Sequence, residues 1–306
     1  MTAAQSLTVA LVTRHFQSRV GGWDPAMLDI AQDHALCHLD EQRLFSMGLV
    51  FKGGTALRKC RSGPAGRFST DLDFTAYEPG LAALVLESLD GHSCHGFTFT
   101  MVNLDTDAGR GDLVVDAPIG RTNASPTRVG IPSKVELSGR PCWLRPETLE
   151  MLPSPVHRAL GHSVPELPVM ATEESIAEKL ARYSRVGLAR DLYDLDWFGK
   201  RQFNEDLVRR LWVQKVFGDV VVDKRWKRDF DPADILKPRH ANTIDEESIG
   251  FLTRPTDIPA WERQFRARYA FLGQLNSEDQ RWAGCSPRDE WEWRNRVAVV
   301  WDANGV

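Results

Sequence analysis

Two aspartates, Asp71 and Asp73, stand two apart in Arg67-Phe68-Ser69-Thr70-Asp71-Leu72-Asp73-Phe74. The stretch alternates, with Phe68, Leu72 and Phe74 on one side and Ser69, Asp71 and Asp73 on the other, as a strand requires. Two carboxylates on one strand face can hold magnesium, a hard cation that takes oxygen ligands and completes its shell with triphosphate oxygens. Sixteen positions before Asp71, Lys52-Gly53-Gly54-Thr55 ends an apolar run and leads into a helix. Paired glycines let backbone approach a phosphate, and the amides that follow offer it donors. The Thr55 hydroxyl is a further candidate donor. Together these residues predict a site for a nucleoside triphosphate with its magnesium, and transfer of a nucleotidyl group with release of pyrophosphate.

A two-metal site needs a third carboxylate, and alternation leaves two open: Glu136, in Lys134-Val135-Glu136-Leu137, and Asp116, at the end of Asp112-Leu113-Val114-Val115-Asp116. Arg58, Lys59, Arg61 and Arg67 flank the Gly-rich loop Ser62 to Gly66. They either guide phosphates or simply solubilise the loop.

The elements that must position this chemistry follow from periodicity. Trp23-Asp24-Pro25 reads as a helix start. Met27, Leu28, Ala31, Ala35, Leu39 and Leu44 then recur near the helical period. Strands are expected at 48–51, 68–74, 97–104, 112–117 and 134–137, with helices at 56–60 and 81–89. Arg140 to Pro168 is rich in proline and reads as the connection between two domains. Beyond it helices dominate, beginning at Thr172. Leu188, Leu192, Leu195 and Phe198 mark one apolar stripe; Trp261, Phe265, Tyr269 and Leu272 mark another. The expected fold is α+β: a mixed sheet with flanking helices over residues 1–150, and a helical domain over 166–306 that completes a cleft.

Composition narrows the class. The 306 residues are 42% hydrophobic and 26% charged, which suits a globular chain of two domains. Five widely spaced cysteines without a CxxC argue for a reducing cytoplasm. The first twenty residues lack the pattern of a signal peptide, and no apolar run is long enough to span a membrane. The net charge is −4, yet Lys179 to Arg228 carries thirteen Lys and Arg against seven Asp and Glu. That basic stretch fits a polyanionic ligand as well as it fits a solvated helical surface.

Lys52-Gly53-Gly54-Thr55-Ala56-Leu57, followed by Arg67 to Phe74, resembles the AbiEii-type nucleotidyltransferases, toxins of type IV toxin–antitoxin and abortive-infection systems. Glu178-Lys179-Leu180-Ala181-Arg182 and Ala189-Arg190-Asp191-Leu192-Tyr193-Asp194-Leu195 resemble the family's helical motif, a lysine followed by Arg-Asp-x-x-Asp-Leu. The likeness spans roughly residues 48 to 198. It implies that Asp71 and Asp73 ligate the metal, that Ser69 contacts phosphate, and that Lys179 binds the triphosphate beside an acidic Asp194. Arg190 belongs to the same motif. It also favours Glu136 over Asp116 as third ligand. An RNA acceptor, with the tRNA 3′ end foremost, a block of translation and a cognate antitoxin are implied by the same resemblance.

Other signals weigh less. His34 and His38 have zinc-ligand spacing, but Ala35 stands where a zinc peptidase needs glutamate, and His92, Cys94 and His95 form a second short cluster. The ten tryptophans suit helical core better than base stacking, save Trp226 in Lys224-Arg225-Trp226-Lys227-Arg228. Walker A and Gly-x-Ser-x-Gly motifs are absent. The competing functions are a small-molecule transferase of aminoglycoside-modifying type, a transferase acting on protein, and a nucleotide-binding protein without catalysis.

Overall fold

The computed structural model describes residues 6–16, 22–76, 78–120, 127–161, 163–226, 231–239 and 256–301. These fall into two compact units, 6–141 with 146–169, and 142–145 with 170–239 and 256–301.

The first unit is built on a mixed sheet. Its strands are β1 (Val50–Lys52), β2 (Asp71–Thr75), β3 (Ser93–Cys94), β4 (Phe97–Asp105), β5 (Arg110–Ala117), β6 (Arg128–Ser138), β7 (Glu147–Glu150) and β8 (Glu166–Val169). Among the described residues they form one sheet of eight strands in the order β3-β4-β5-β6-β2-β1-β8-β7. β2 lies at its middle, antiparallel to β1 and parallel to β6. Helices α1 (Val9–Phe16), α2 (Trp23–Glu41), α3 (Gly53–Leu57), α4 (Leu81–Leu89) and α5 (Pro155–Leu160) complete the unit.

Alternation sets which face is packed. Leu113, Val115 and Ala117 of β5 and Val135 and Leu137 of β6 are buried with Ala31, Ala35, Leu36 and Leu39 of α2 and Val85, Leu86 and Leu89 of α4 in one apolar core. The intervening residues point to the other face, and there Lys134 and Glu136 are exposed.

Two expectations are corrected. The short helix begins at Gly53, not Ala56, and continues through a wider π turn, Arg58–Ser62. The glycines therefore open the helix. The proline-rich segment 140–168 is no free connection, since β7 and β8 pair with each other and β8 pairs in parallel with β1. Pro155 falls in the first turn of α5, where proline is tolerated, and Pro168 lies within β8 opposite Thr148.

The second unit is helical over most of its described residues: α6 (Thr172–Arg185), α7 (Ala189–Gly199), α8 (Glu205–Phe217), α9 (Ile258–Arg268), α10 (Ser277–Ala283) and α11 (Glu290–Val297). Its core is aromatic. Trp143 packs against Trp293 and Trp301, Phe217 against Trp282, and Tyr193 against Trp261. Glu174 at the start of α6 anchors the short segment 142–145 by accepting from the backbone N–H groups of Trp143 and Leu144, and it takes Lys215 Nζ at 2.9 Å. The fold is thus a mixed sheet with flanking helices together with a helical unit, α+β as the sequence predicts.

Candidate active site

Register places the carboxylates. Asp73 of β2 sits opposite Lys52 of β1 on one side and Glu136 of β6 on the other, and Asp71 pairs with Lys134. Residues in register on neighbouring strands project to the same face, and neighbouring strands lie about 4.8 Å apart. Asp71, Asp73 and Glu136 therefore share one face. Leu72 and Phe74, between and beyond the aspartates, point into the core and are fully buried. Asp116 is elsewhere. The β5 residue opposite Glu136 is Arg110, and Asp116 lies six residues further along β5, roughly 20 Å at strand rise. Its carboxylate accepts the Gly130 N–H at 2.8 Å.

The glycines fit closely around this face. Gly53 has φ +80°, and a Cβ there would meet Asp73 Oδ2 at 2.0 Å. A Cβ at Gly54 would meet the Arg67 guanidinium at 2.5 Å and Ser69 Oγ at 2.9 Å. Position 53 thus needs glycine for its backbone angle as well as for room. Arg67 and Ser69 are buried beside Gly54, and the Ser69 carbonyl accepts Gln32 Nε2 from α2 at 3.1 Å.

Thr55 does not supply the donor expected of it. It is fully buried, and its hydroxyl contacts the backbone carbonyl of Asp71. A carbonyl oxygen can only accept, so the hydroxyl proton is committed there. Thr55 ties α3 to β2 and so fixes the glycines relative to the aspartates.

Arg58 and Lys59 are also corrected. Both are buried and serve the scaffold. Arg58 Nε donates to Asp29 at 2.6 Å, while Lys59 Nζ lies 2.9 Å from Asp29 and 2.6 Å from Asp33. His15 of α1 reaches Asp29 at 2.7 Å, and His157 of α5 reaches Asp33 at 2.8 Å. The Ser154 N–H donates to His157 Nδ1, which leaves the ring proton on Nε2, facing Asp33. Burial pushes the Asp29 carboxyl upward, but Arg58, Lys59 and His15 outweigh it and hold it well below the usual carboxylate range. Arg61 pairs with Glu147 at 3.1 Å. Asp29, Gln32 and Asp33 were not singled out by sequence pattern; the available signal was three polar side chains within a long, mostly buried helix.

The second unit gathers the helical motif. Lys179 Nζ of α6 donates to Asp194 Oδ2 of α7 at 2.7 Å, and both side chains are buried. One turn away, Arg182 Nε donates to Asp191 at 2.8 Å. Asp191 and Asp194 of α7 thus take their cations from α6 rather than from their own helix, so the intrahelical Arg190–Asp194 pair allowed by spacing does not form the bond. Arg190 is half-buried, and its Nε has no hydrogen-bond partner. Arg225 lies 3.6 Å from Asp219 and 3.5 Å from Asp223; Lys227 and Arg228 lie outside the described residues.

The donor set of the β2–β6 face is all oxygen and suits magnesium better than a softer ion. Among the described residues no three His, Cys, Asp or Glu side chains are placed to enclose a metal by themselves. Magnesium seldom asks for that, since it is held by one or two carboxylates together with phosphate oxygens. Gly53, lacking a side chain, lets the Asp73 carboxylate lie against the backbone that opens α3, where phosphate oxygens would meet both. No described helix is long and apolar enough to cross a membrane.

The chain is 45% identical to MenT4, a nucleotidyltransferase toxin from Mycobacterium tuberculosis H37Rv, with a TM-score of 0.84 over 96% of this chain and 99% of that one. A putative nucleotidyltransferase from H. pylori is 20% identical, with a TM-score of 0.39 over 79% of this chain and 96% of that one. JHP933 from Helicobacter pylori is 17% identical, with a TM-score of 0.37 over 87% of this chain and 98% of that one. No curated protein matches. The family described as nucleotidyl transferase AbiEii toxin, type IV TA system, matches residues 34–296. The chain belongs to the AbiEii nucleotidyltransferase toxins and is an enzyme of nucleotidyl transfer.

Proposed function

We propose that the chain transfers a nucleoside monophosphate from a triphosphate to an RNA acceptor, the tRNA 3′ end foremost, and thereby blocks translation. The observation that carries the reaction is the shared face of Asp71, Asp73 and Glu136 beside Gly53 and Gly54. In the reaction the acceptor hydroxyl oxygen bonds to the α-phosphorus. The bond from that phosphorus to the bridging oxygen breaks, and pyrophosphate leaves with the electron pair.

Asp71 and Asp73 would hold magnesium, with Glu136 as the third carboxylate. Magnesium, when bound, neutralises phosphate charge and activates the attacking hydroxyl. Lys52, Gly53, Gly54 and Ser69 would position the phosphates, the glycines by admitting them close to backbone. In the second unit Lys179, oriented by Asp194, would supply charge to the triphosphate, and Arg190 would assist. The family's place in type IV toxin–antitoxin systems supports a cognate antitoxin as partner.

The test is incubation with magnesium, each α-labelled triphosphate in turn and total bacterial RNA, beside Asp71→Ala. Label in a tRNA-sized band only with intact Asp71 supports the reading. Triphosphate binding without labelled RNA overturns it and moves the acceptor to protein or a small molecule.

A further inference from the structure

Two short histidine clusters, far apart in sequence, meet in the first unit. His34 and His38, one turn apart on α2, face His92, Cys94 and His95 at the turn that carries β3. The His38 and His92 rings stack with centroids 3.6 Å apart and planes 17° apart. His34 and His95 stack at 5.2 Å and 13°. Cys94 Sγ lies 3.9 Å from His34 Nδ1. The donors of this seam are not placed to share a metal ion among the described residues, and the chemistry it offers is proton uptake.

His38 Nε2 lies 2.9 Å from the Ser88 carbonyl and 3.0 Å from the Ser88 hydroxyl. The face of His38 is then covered by His92, whose other neighbour is the Phe99 ring at 5.6 Å. His92 Nε2 is buried without a hydrogen-bond partner. A proton on His92 would place a cation against a second imidazole and an aromatic ring, and on Nε2 it would find no acceptor. Burial and the neighbouring His38 accordingly hold His92 below the ordinary histidine range, against the opposing pull of Glu41. The sign follows: His92 binds fewer protons in the folded protein than in the unfolded chain, so its contribution is complete above about pH 6.5 and is lost as pH falls below that.

What the seam holds is light. β3 has two residues and is the edge strand of the sheet. α2, its other side, is the helix whose Asp29, Gln32 and Asp33 seat Arg58, Lys59 and Ser69.

We propose that the stacked imidazoles of His38 and His92 form an acid-sensitive latch that releases the β3 turn from α2 while the rest of the fold persists. This stands apart from the catalytic reading and does not depend on it. The test is hydrogen exchange of backbone amides over residues 91–99, at pH 7.5 and 5.5, corrected for intrinsic exchange rates, on wild type, His92→Phe and His92→Gln. Wild type loses protection about tenfold at pH 5.5, whereas both variants keep the same protection at the two values, with circular dichroism unchanged. Protection in wild type that does not change with pH overturns the latch, as does an equal loss in variants that remain folded. Should neither variant fold, the wild-type comparison decides together with the His92 ring titration by NMR, which must fall below that of a free histidine.

Discussion

Gly53 and Asp73 are packed so closely that a Cβ on the first would sit 2.0 Å from a carboxylate oxygen of the second. The backbone angle of Gly53, φ +80°, already disfavours any other residue. Gly53→Ala is therefore expected to cost about 1–3 kcal/mol in strain and to displace Asp73, with transfer activity falling at least a hundredfold. Gly54→Ala meets only the ends of Arg67 and Ser69 side chains and is expected to be the milder change. Activity and thermal melting of the two variants, measured side by side, check the order.

Glu136 and Asp116 separate cleanly by place. Glu136→Gln is expected to lower transfer by at least tenfold without shifting the melting temperature, because its side chain is exposed on the Asp73 face. Asp116→Asn, some 20 Å along β5, should leave transfer rates near wild type. Steady-state kinetics over a range of magnesium concentrations distinguish them.

Lys179 and Asp194 form a buried pair, and removing either residue takes this ion pair from the other. Lys179→Met or Asp194→Leu alone is expected to cost about 3–5 kcal/mol, and the double variant clearly less than the two together. Urea unfolding of all four proteins measures the coupling.

Asp29 ties stability to acid. Its carboxyl is held below the usual range, so the stability it contributes is complete above about pH 3.9 and is lost as pH drops toward its folded value. Wild type should lose urea resistance below pH 4 more steeply than Asp29→Asn, which starts from a lower plateau. Midpoints at pH 7, 4.5 and 3 check the slopes.

The thiols of Cys60, buried, and Cys37, half-buried, should be inert. Burial pushes Cys60 up to about 12, against the lowering pull of Arg61 and Lys59, and pushes Cys37 up to about 12 with help from Asp33, Glu41 and Asp40. At pH 8 both are expected to alkylate at least about a hundredfold more slowly than a free cysteine, read by mass spectrometry after iodoacetamide.

Much of the carboxylate face was legible because it rests on local rules. Period-two alternation around Leu72 sets the direction of Asp71 and Asp73, and α4 falls on Leu81–Leu89 as its apolar residues predict. The nature of the basic loop was not legible. Arg58 and Lys59 look like surface charge until α2, some thirty residues earlier, brings Asp29 and Asp33 against them. Thr55 has the same history: only the pairing of β1 with β2 shows that the Asp71 carbonyl takes its hydroxyl. β7 and β8 were hidden because they are short and proline-flanked, and because β8 also pairs with β1, far off in sequence. Arg190 and Asp194 illustrate the same limit on a helix, where four-residue spacing permits a pair that an adjacent helix forestalls with Lys179.

The central claim is that the Asp71 and Asp73 carboxylates carry nucleotidyl transfer. It is tested most directly by Asp73→Asn, which keeps size and β2 pairing while removing the charge. Transfer of the labelled α-phosphate group to RNA and release of pyrophosphate are followed together, with melting temperature as the control for folding. The account predicts loss of both products by at least a thousandfold in a protein that melts within a few degrees of wild type. Transfer at an undiminished rate by that folded variant would contradict it.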